Sequence, residues 1–74
     1  MSTSSAVYVG QRVAEARIKA RMTQLELAQK IGLEGEGSDA GISRLEAGLQ
    51  EPRLDKLIRI ADALEVPLES LLPV

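Results

Sequence analysis

The chain contains no histidine, cysteine, tryptophan or phenylalanine, and its one tyrosine is Tyr8. Each absence removes a class of chemistry. Without His or Cys there is no zinc site of the usual donor types, no Cys–His pair and no Ser–His–Asp triad. A chain without cysteine has no disulfide framework, which suits a reducing cytoplasm. One aromatic ring makes no stacking platform for single-stranded nucleic acid. The apolar runs are far shorter than the roughly 20 residues that span a bilayer. The first residues carry neither a basic segment nor an apolar one, so no leader is expected and residues 1–5 read as a flexible arm. An enzyme is not expected, nor is a cofactor, a metal or a membrane partner.

What remains is short and helix-forming. At 74 residues there is room for one domain, and a fold of this size buries only roughly 60% of its unfolded surface. No strand-like alternation is bounded by hairpin turns, and Leu, Ala, Ile, Glu, Lys, Arg and Gln dominate, so helices are the better reading throughout. Val9, Val13, Ala16 and Ala20 are spaced as one stripe of a first helix over residues 6–20. Thr23 and Glu26 form a capping box, in which the hydroxyl accepts from the Glu26 amide and the carboxylate accepts from the Thr23 amide. A second helix then buries Leu27, Ala28 and Ile31 and stops at Gly32.

Residues 33–37 are too glycine-rich to be regular. Ser38 is a plausible N-cap for a third helix over 39–47, with Asp39 near the positive end of its dipole and Gly48 as its stop. Pro52 forbids continuation. Leu54, Leu57, Ile58, Ala61 and Leu64 give the strongest amphipathic signal, a fourth helix over 54–64. Pro67 starts a last short helix carrying Leu68, Leu71 and Leu72. The fold expected is an all-α, five-helix bundle forming a single domain over 1–74.

The formal charge of −2 argues mildly against nucleic acid. It hides an asymmetry: residues 1–33 sum to +3, residues 34–51 to −4 and the remainder to −1. The positive charge sits at the front.

Two short helices a turn apart, preceded by a basic helix, have the layout of a helix-turn-helix, here over about 23–48 with a long turn at 32–37. Arg17, the run from Met22 through Gly32, the run Ile42-Ser43-Arg44-Leu45-Glu46-Ala47-Gly48, Pro52, and the run from Leu57 through Pro67 together resemble the Cro/phage-repressor (Xre-type) DNA-binding domain. The match covers about residues 10–72, and its pieces are specific because they fall in the right order. The resemblance implies a lambda-repressor-like bundle and a regulator of transcription that binds double-stranded DNA as a homodimer in the cytoplasm, at the nucleoid.

Residue by residue, the resemblance places Thr23 and Gln24 at a DNA phosphate, with the second helix's amino terminus aimed at the same anion. The plain alternative for Gln24 is the first residue of a capped helix. Arg17 and Glu46 are expected to pair and brace the first helix against the third, a structural role and not a reading one. Base-reading positions fall at Ser38, Asp39, Ala40, Gly41, Ser43 and Arg44. Arg44 is the strongest reader, since a guanidinium can bond guanine O6 and N7 together; the plainer alternative is an exposed, solubilising charge.

Three departures from the family pattern bear on affinity. Asp39-Ala40-Gly41 replaces the usual amide and hydroxyl readers, although Asp can accept from cytosine N4 and Ala can meet a thymine methyl. The turn before the third helix is longer than common and puts Glu34 and Glu36 near the expected DNA face. Residues 34–39 do not reproduce the ligand positions of a calcium loop, so a solvated turn is the reading. Leu49-Gln50-Glu51 stands where relatives often place basic residues, so a monomer should bind weakly. Arg12, Lys19, Arg21 and Lys30 are candidate substitutes. Dimerisation would compensate through effective concentration, with Leu72 or Val74 of the apolar tail, or Val7-Tyr8-Val9, as candidate patches and Leu68 and Leu71 assigned to the core, unless both patches serve the monomer's own core. A second function remains open. The acidic third-helix region could dock a basic protein partner, making the fold an interaction module of antitoxin or adaptor type.

Overall fold

The computed structural model describes residues 5–33 and 37–73. Four α-helices follow one another: α1 (Ser5–Lys19), α2 (Gln24–Lys30), α3 (Ser38–Glu46) and α4 (Leu54–Leu64), closed by a 3-10 turn at Leu68–Leu71. The described residues contain no strand, so the class is all-α as expected. The fifth helix is only that 3-10 turn. Pro67 opens it, and Pro73 forces the preceding Leu72 into extended backbone (φ −99°, ψ 149°), leaving no length for a full α-turn. Ser5, assigned to the arm, opens α1; the rest of the arm, the middle of the long turn and Val74 lie outside the described residues.

All four helices end the same way. The residue past each end adopts a left-handed conformation, and the two amides there bond back to the helix's last carbonyls. Gly32 and Gly48 do this after α2 and α3 as the sequence predicts, whereas Arg21 (φ 59°) and Glu65 (φ 56°) do it after α1 and α4 without being glycine. The start of α3 differs from expectation. Gly37, at φ 77°, is its N-cap and supplies no side-chain hydrogen bond, while Ser38 is already inside the helix. A left-handed glycine turns the chain directly into the helix and leaves no place for a serine cap.

The core is built around Val13, Leu27, Ala28, Ile42, Leu45, Ile60 and Leu71, all buried. Leu27 and Ala28 of α2 pack with Ile42 and Leu45 of α3, so the two short helices hold one another through their apolar faces. The α4 stripe is rotated from the expected one. Leu57, Ile60, Ala61, Ala63 and Leu64 face inward, but Leu54 and Ile58 are exposed. Spacing alone fitted both faces, and the position of Ile60 decides between them. On α1, Ala6, Val9, Gly10 and Val13 are buried, Ala16 is half-buried, and Ala20 lies exposed beyond the helix end.

Candidate nucleic-acid interface

The amino terminus of α2 is fixed by the predicted capping box. The Glu26 amide donates to Thr23 Oγ1 at 3.0 Å, and the Thr23 amide donates to Glu26 Oε1 at 2.8 Å. The backbone donor and then the hydroxyl of Thr23 hold the Glu26 carboxyl below its ordinary value. A lowered carboxyl stabilises the fold at pH above its unfolded value, and that contribution is lost as pH falls through the folded one. Wild type should therefore be more stable than Glu26→Gln at neutral pH, and the gap should close as the solution is acidified. Parallel denaturation of the two proteins from neutral to acid pH checks this. A gap independent of pH would mean that the carboxylate charge is not what the cap uses.

Behind this cap sits a network joining three helices. Arg17 of α1 reaches Glu46 of α3 with two bonds, Nε to Oε2 at 2.6 Å and Nη2 to Oε1 at 3.1 Å. Its third nitrogen, Nη1, donates to the Met22 carbonyl at 2.7 Å. The arginine and glutamate side chains are 14% and 8% exposed. Two parallel bonds between planar groups fix orientation as well as distance. The expected brace is therefore present in the structure. Gln24 of α2 joins it by donating from Nε2 to Glu46 Oε1 at 3.0 Å. The sequence reading missed this bond, because it treated Gln24 and Glu46 as separate sites. One Nε2 hydrogen of Gln24 is thereby committed to Glu46, and the other remains for a further acceptor.

The network sets how α3 is displayed. Ile42 and Leu45 point inward and Glu46 is tied at the carboxyl end, so the opposite face is turned out. Asp39, Ser43 and Arg44 are exposed, while Ser38, Ala40 and Gly41 are half-buried. Among the described residues Arg44 has no ion-pair partner, so its guanidinium is free to meet a ligand. Thr23 and Gln24 stand together at the start of α2, on the same side as the cap.

Two further contacts were invisible to the sequence reading. Gly10 of α1 lies directly against the carbonyls of Leu45 and Glu46, where an added Cβ would meet backbone oxygen. A lone glycine in the middle of a helical pattern was the available signal. Arg12, one of the candidate phosphate contacts, is instead bound to the tail, its Nε donating to the Ser70 carbonyl at 2.9 Å and its Nη1 to Glu15 Oε1 at 3.5 Å. Lys19, Arg21 and Lys30 stay exposed. The acidic stretch is also less acidic in space than along the chain, because Arg17 pairs with Glu46.

A capped short helix, a second helix packed on it, and an outward face on the second bearing one free arginine together define a helix-turn-helix of the DNA-binding kind. The chain belongs to the Cro/C1-type helix-turn-helix family, whose model, described as "Helix-turn-helix", matches residues 13–71. It is a DNA-binding regulator of transcription of that class. Its structure is similar to that of the restriction-modification controller protein C.AhdI from Aeromonas hydrophila, with a TM-score of 0.79 and 27% identity over 89% of this chain and 94% of that one. No curated protein sequence matches the chain. Among the described residues no helix is long and apolar enough to cross a membrane.

Proposed function

We propose that this protein is a sequence-specific regulator of the repressor or controller type, binding a palindromic operator on double-stranded DNA as a homodimer, in the cytoplasm at the nucleoid. The observation that carries the reading is the outward face of α3, with Ser43 and Arg44 exposed while Glu46 ties the helix down from behind. The likeness to a restriction-modification controller protein supports the controller type. Arg44 is assigned the main base contact. Ser38, Asp39, Ala40, Gly41 and Ser43 line the groove around it, and Thr23 with Gln24 meets a phosphate. Phosphate contacts position the protein, and base contacts give it sequence preference.

Selection from random duplex DNA at low and moderate salt tests this. An inverted repeat with half-site centres roughly 34–36 Å apart is the expected outcome. Arg44→Ala should then relax preference at one base position, by about 1–3 kcal/mol. Gln24→Ala should weaken binding to all sequences alike and flatten its salt dependence. An Arg44→Ala protein selecting the wild-type motif unchanged would remove Arg44 from the readout. Selection of no motif at either salt, from folded protein, would favour the interaction-module reading. The acidic Asp39 and the lack of basic residues at Leu49-Gln50-Glu51 are what that reading has in its favour.

A further inference from the structure

The homodimer proposed above needs a face. The described residues of the two patches suggested by the sequence are largely spent on the monomer: Val9 is buried, and Val7, Tyr8 and Leu72 are half-buried. The large apolar side chains left exposed lie elsewhere, among them Leu54 at 60% and Ile58 at 48% on α4. These two are four residues apart and so adjacent on one side of the helix. Asp55 and Arg59 are likewise four apart and exposed beside them. Among the described residues neither of these charges has an ion-pair partner.

From this arrangement we propose that the outer face of α4 pairs with the same face of a second copy, the two helices running antiparallel about a two-fold axis. The proposal rests on the dimer reading and assigns its contact surface. In such a two-fold pair, residues on one flank of the helix meet the same flank of the partner. With the crossing centred between Lys56 and Leu57, Leu54 lies level with Ile58 of the second copy and Asp55 level with its Arg59, each to within about one helical residue rise, roughly 1.5 Å. The apolar pair forms along one flank and the opposite charges along the other, and each is repeated by the symmetry. A parallel two-fold pair would exchange the flanks and set the apolar flank of one helix against the charged flank of the other. The fit is therefore to a second copy in antiparallel orientation.

A stable interface takes roughly 800 Å² from each partner. One face of an 11-residue helix supplies less, so pairing is weak in free protein and is completed on DNA, where two half-sites hold two copies at high effective concentration. Sedimentation equilibrium of the full chain up to about 1 mM, with and without a selected inverted-repeat duplex, reads both regimes. Leu54→Glu should lower the dimer constant, and the cooperativity on the duplex, by roughly tenfold or more. Ile18→Glu, as exposed but on α1, should not. Asp55→Arg and Arg59→Asp should each weaken pairing roughly tenfold, since each sets two pairs of like charges against one another.

An equimolar mixture of those two variants should pair again. In the mixed dimer the arginine introduced at position 55 of one chain faces the aspartate introduced at position 59 of the other. The second pair, Arg59 of the first chain with Asp55 of the other, is the native one. Recovery in the mixture demands that the two positions meet between chains, which a purely intrachain effect cannot mimic. A wild-type dimer that ignores Leu54→Glu, or whose charge variants fail to recover on mixing, overturns the α4 assignment alone. A wild-type protein that binds the duplex as independent single copies overturns the dimer reading itself, and the assignment with it.

Discussion

Gly10→Ala is expected to destabilise the fold by about 2 kcal/mol net, a fall of roughly 10 °C in melting temperature for a domain of this size. Helix propensity alone predicts the opposite sign, since alanine is favoured over glycine by about 1 kcal/mol in a helix interior. Packing decides the outcome. The new Cβ would lie 2.9 Å from the Glu46 carbonyl oxygen and closer still to that of Leu45. Both obstacles are backbone, so no rotamer change relieves them. To recover ordinary contact distances α1 and α3 must part by about 1 Å. Gly41→Ala provides the contrast: nothing lies within 4 Å of a Cβ there, and the backbone is ordinary helix, so the propensity gain of up to about 1 kcal/mol should be realised. Thermal unfolding of both variants checks the pair of signs. A Gly10→Ala protein melting at or above the wild-type temperature would contradict the close approach of α1 to α3.

Glu46→Ala should cost about 3 kcal/mol, measured by denaturant unfolding. The loss comes from what stays behind. The Arg17 guanidinium, 14% exposed, keeps only its bond to the Met22 carbonyl, and Gln24 Nε2 loses its acceptor. An uncompensated charge in a poorly solvated position is penalised more heavily than the pair was worth. Replacing both partners with apolar residues of similar size, as in Arg17→Met with Glu46→Leu, should therefore be less harmful than Glu46→Ala alone. Because the pair is largely buried, salt should alter the Glu46→Ala effect little. A loss below about 0.5 kcal/mol would place this pair with ordinary surface ion pairs, whose contributions are that small.

The parts of this molecule that could be read from the sequence are those whose partners are near in the chain. The Thr23–Glu26 box, the glycine stops at Gly32 and Gly48, and the limits of α2 and α4 follow from interactions within a few residues. The Arg17–Glu46 brace was available through family resemblance, not through spacing. Gly10 was not legible as a contact, because the carbonyls it meets belong to a helix far along the chain. Ser38 was misplaced because a polar residue before a helix is an ordinary cap, and only the backbone of Gly37 shows the turn made without one. Leu54 and Ile58 fitted an inward stripe as well as an outward one until Ile60 and Ala63 were seen inside. At the interface, the sequence supplied the identity of the outward residues on α3 but not the sharing of Glu46 between Arg17 and Gln24. That sharing depends on how three helices converge.

The two ends of α3 are held very differently. Its carboxyl end is clamped by Glu46, covered by Gly10 and finished by the left-handed Gly48, whereas its amino end begins at Gly37, and among the described residues no side chain receives the first free amides. The helix is thus anchored at its heel and left incomplete at its toe, the end bearing Asp39. An acceptor arriving in the groove would act as the missing cap. Part of any affinity for DNA would then be spent on finishing the helix, which makes recognition at this end a folding event as well as a docking one.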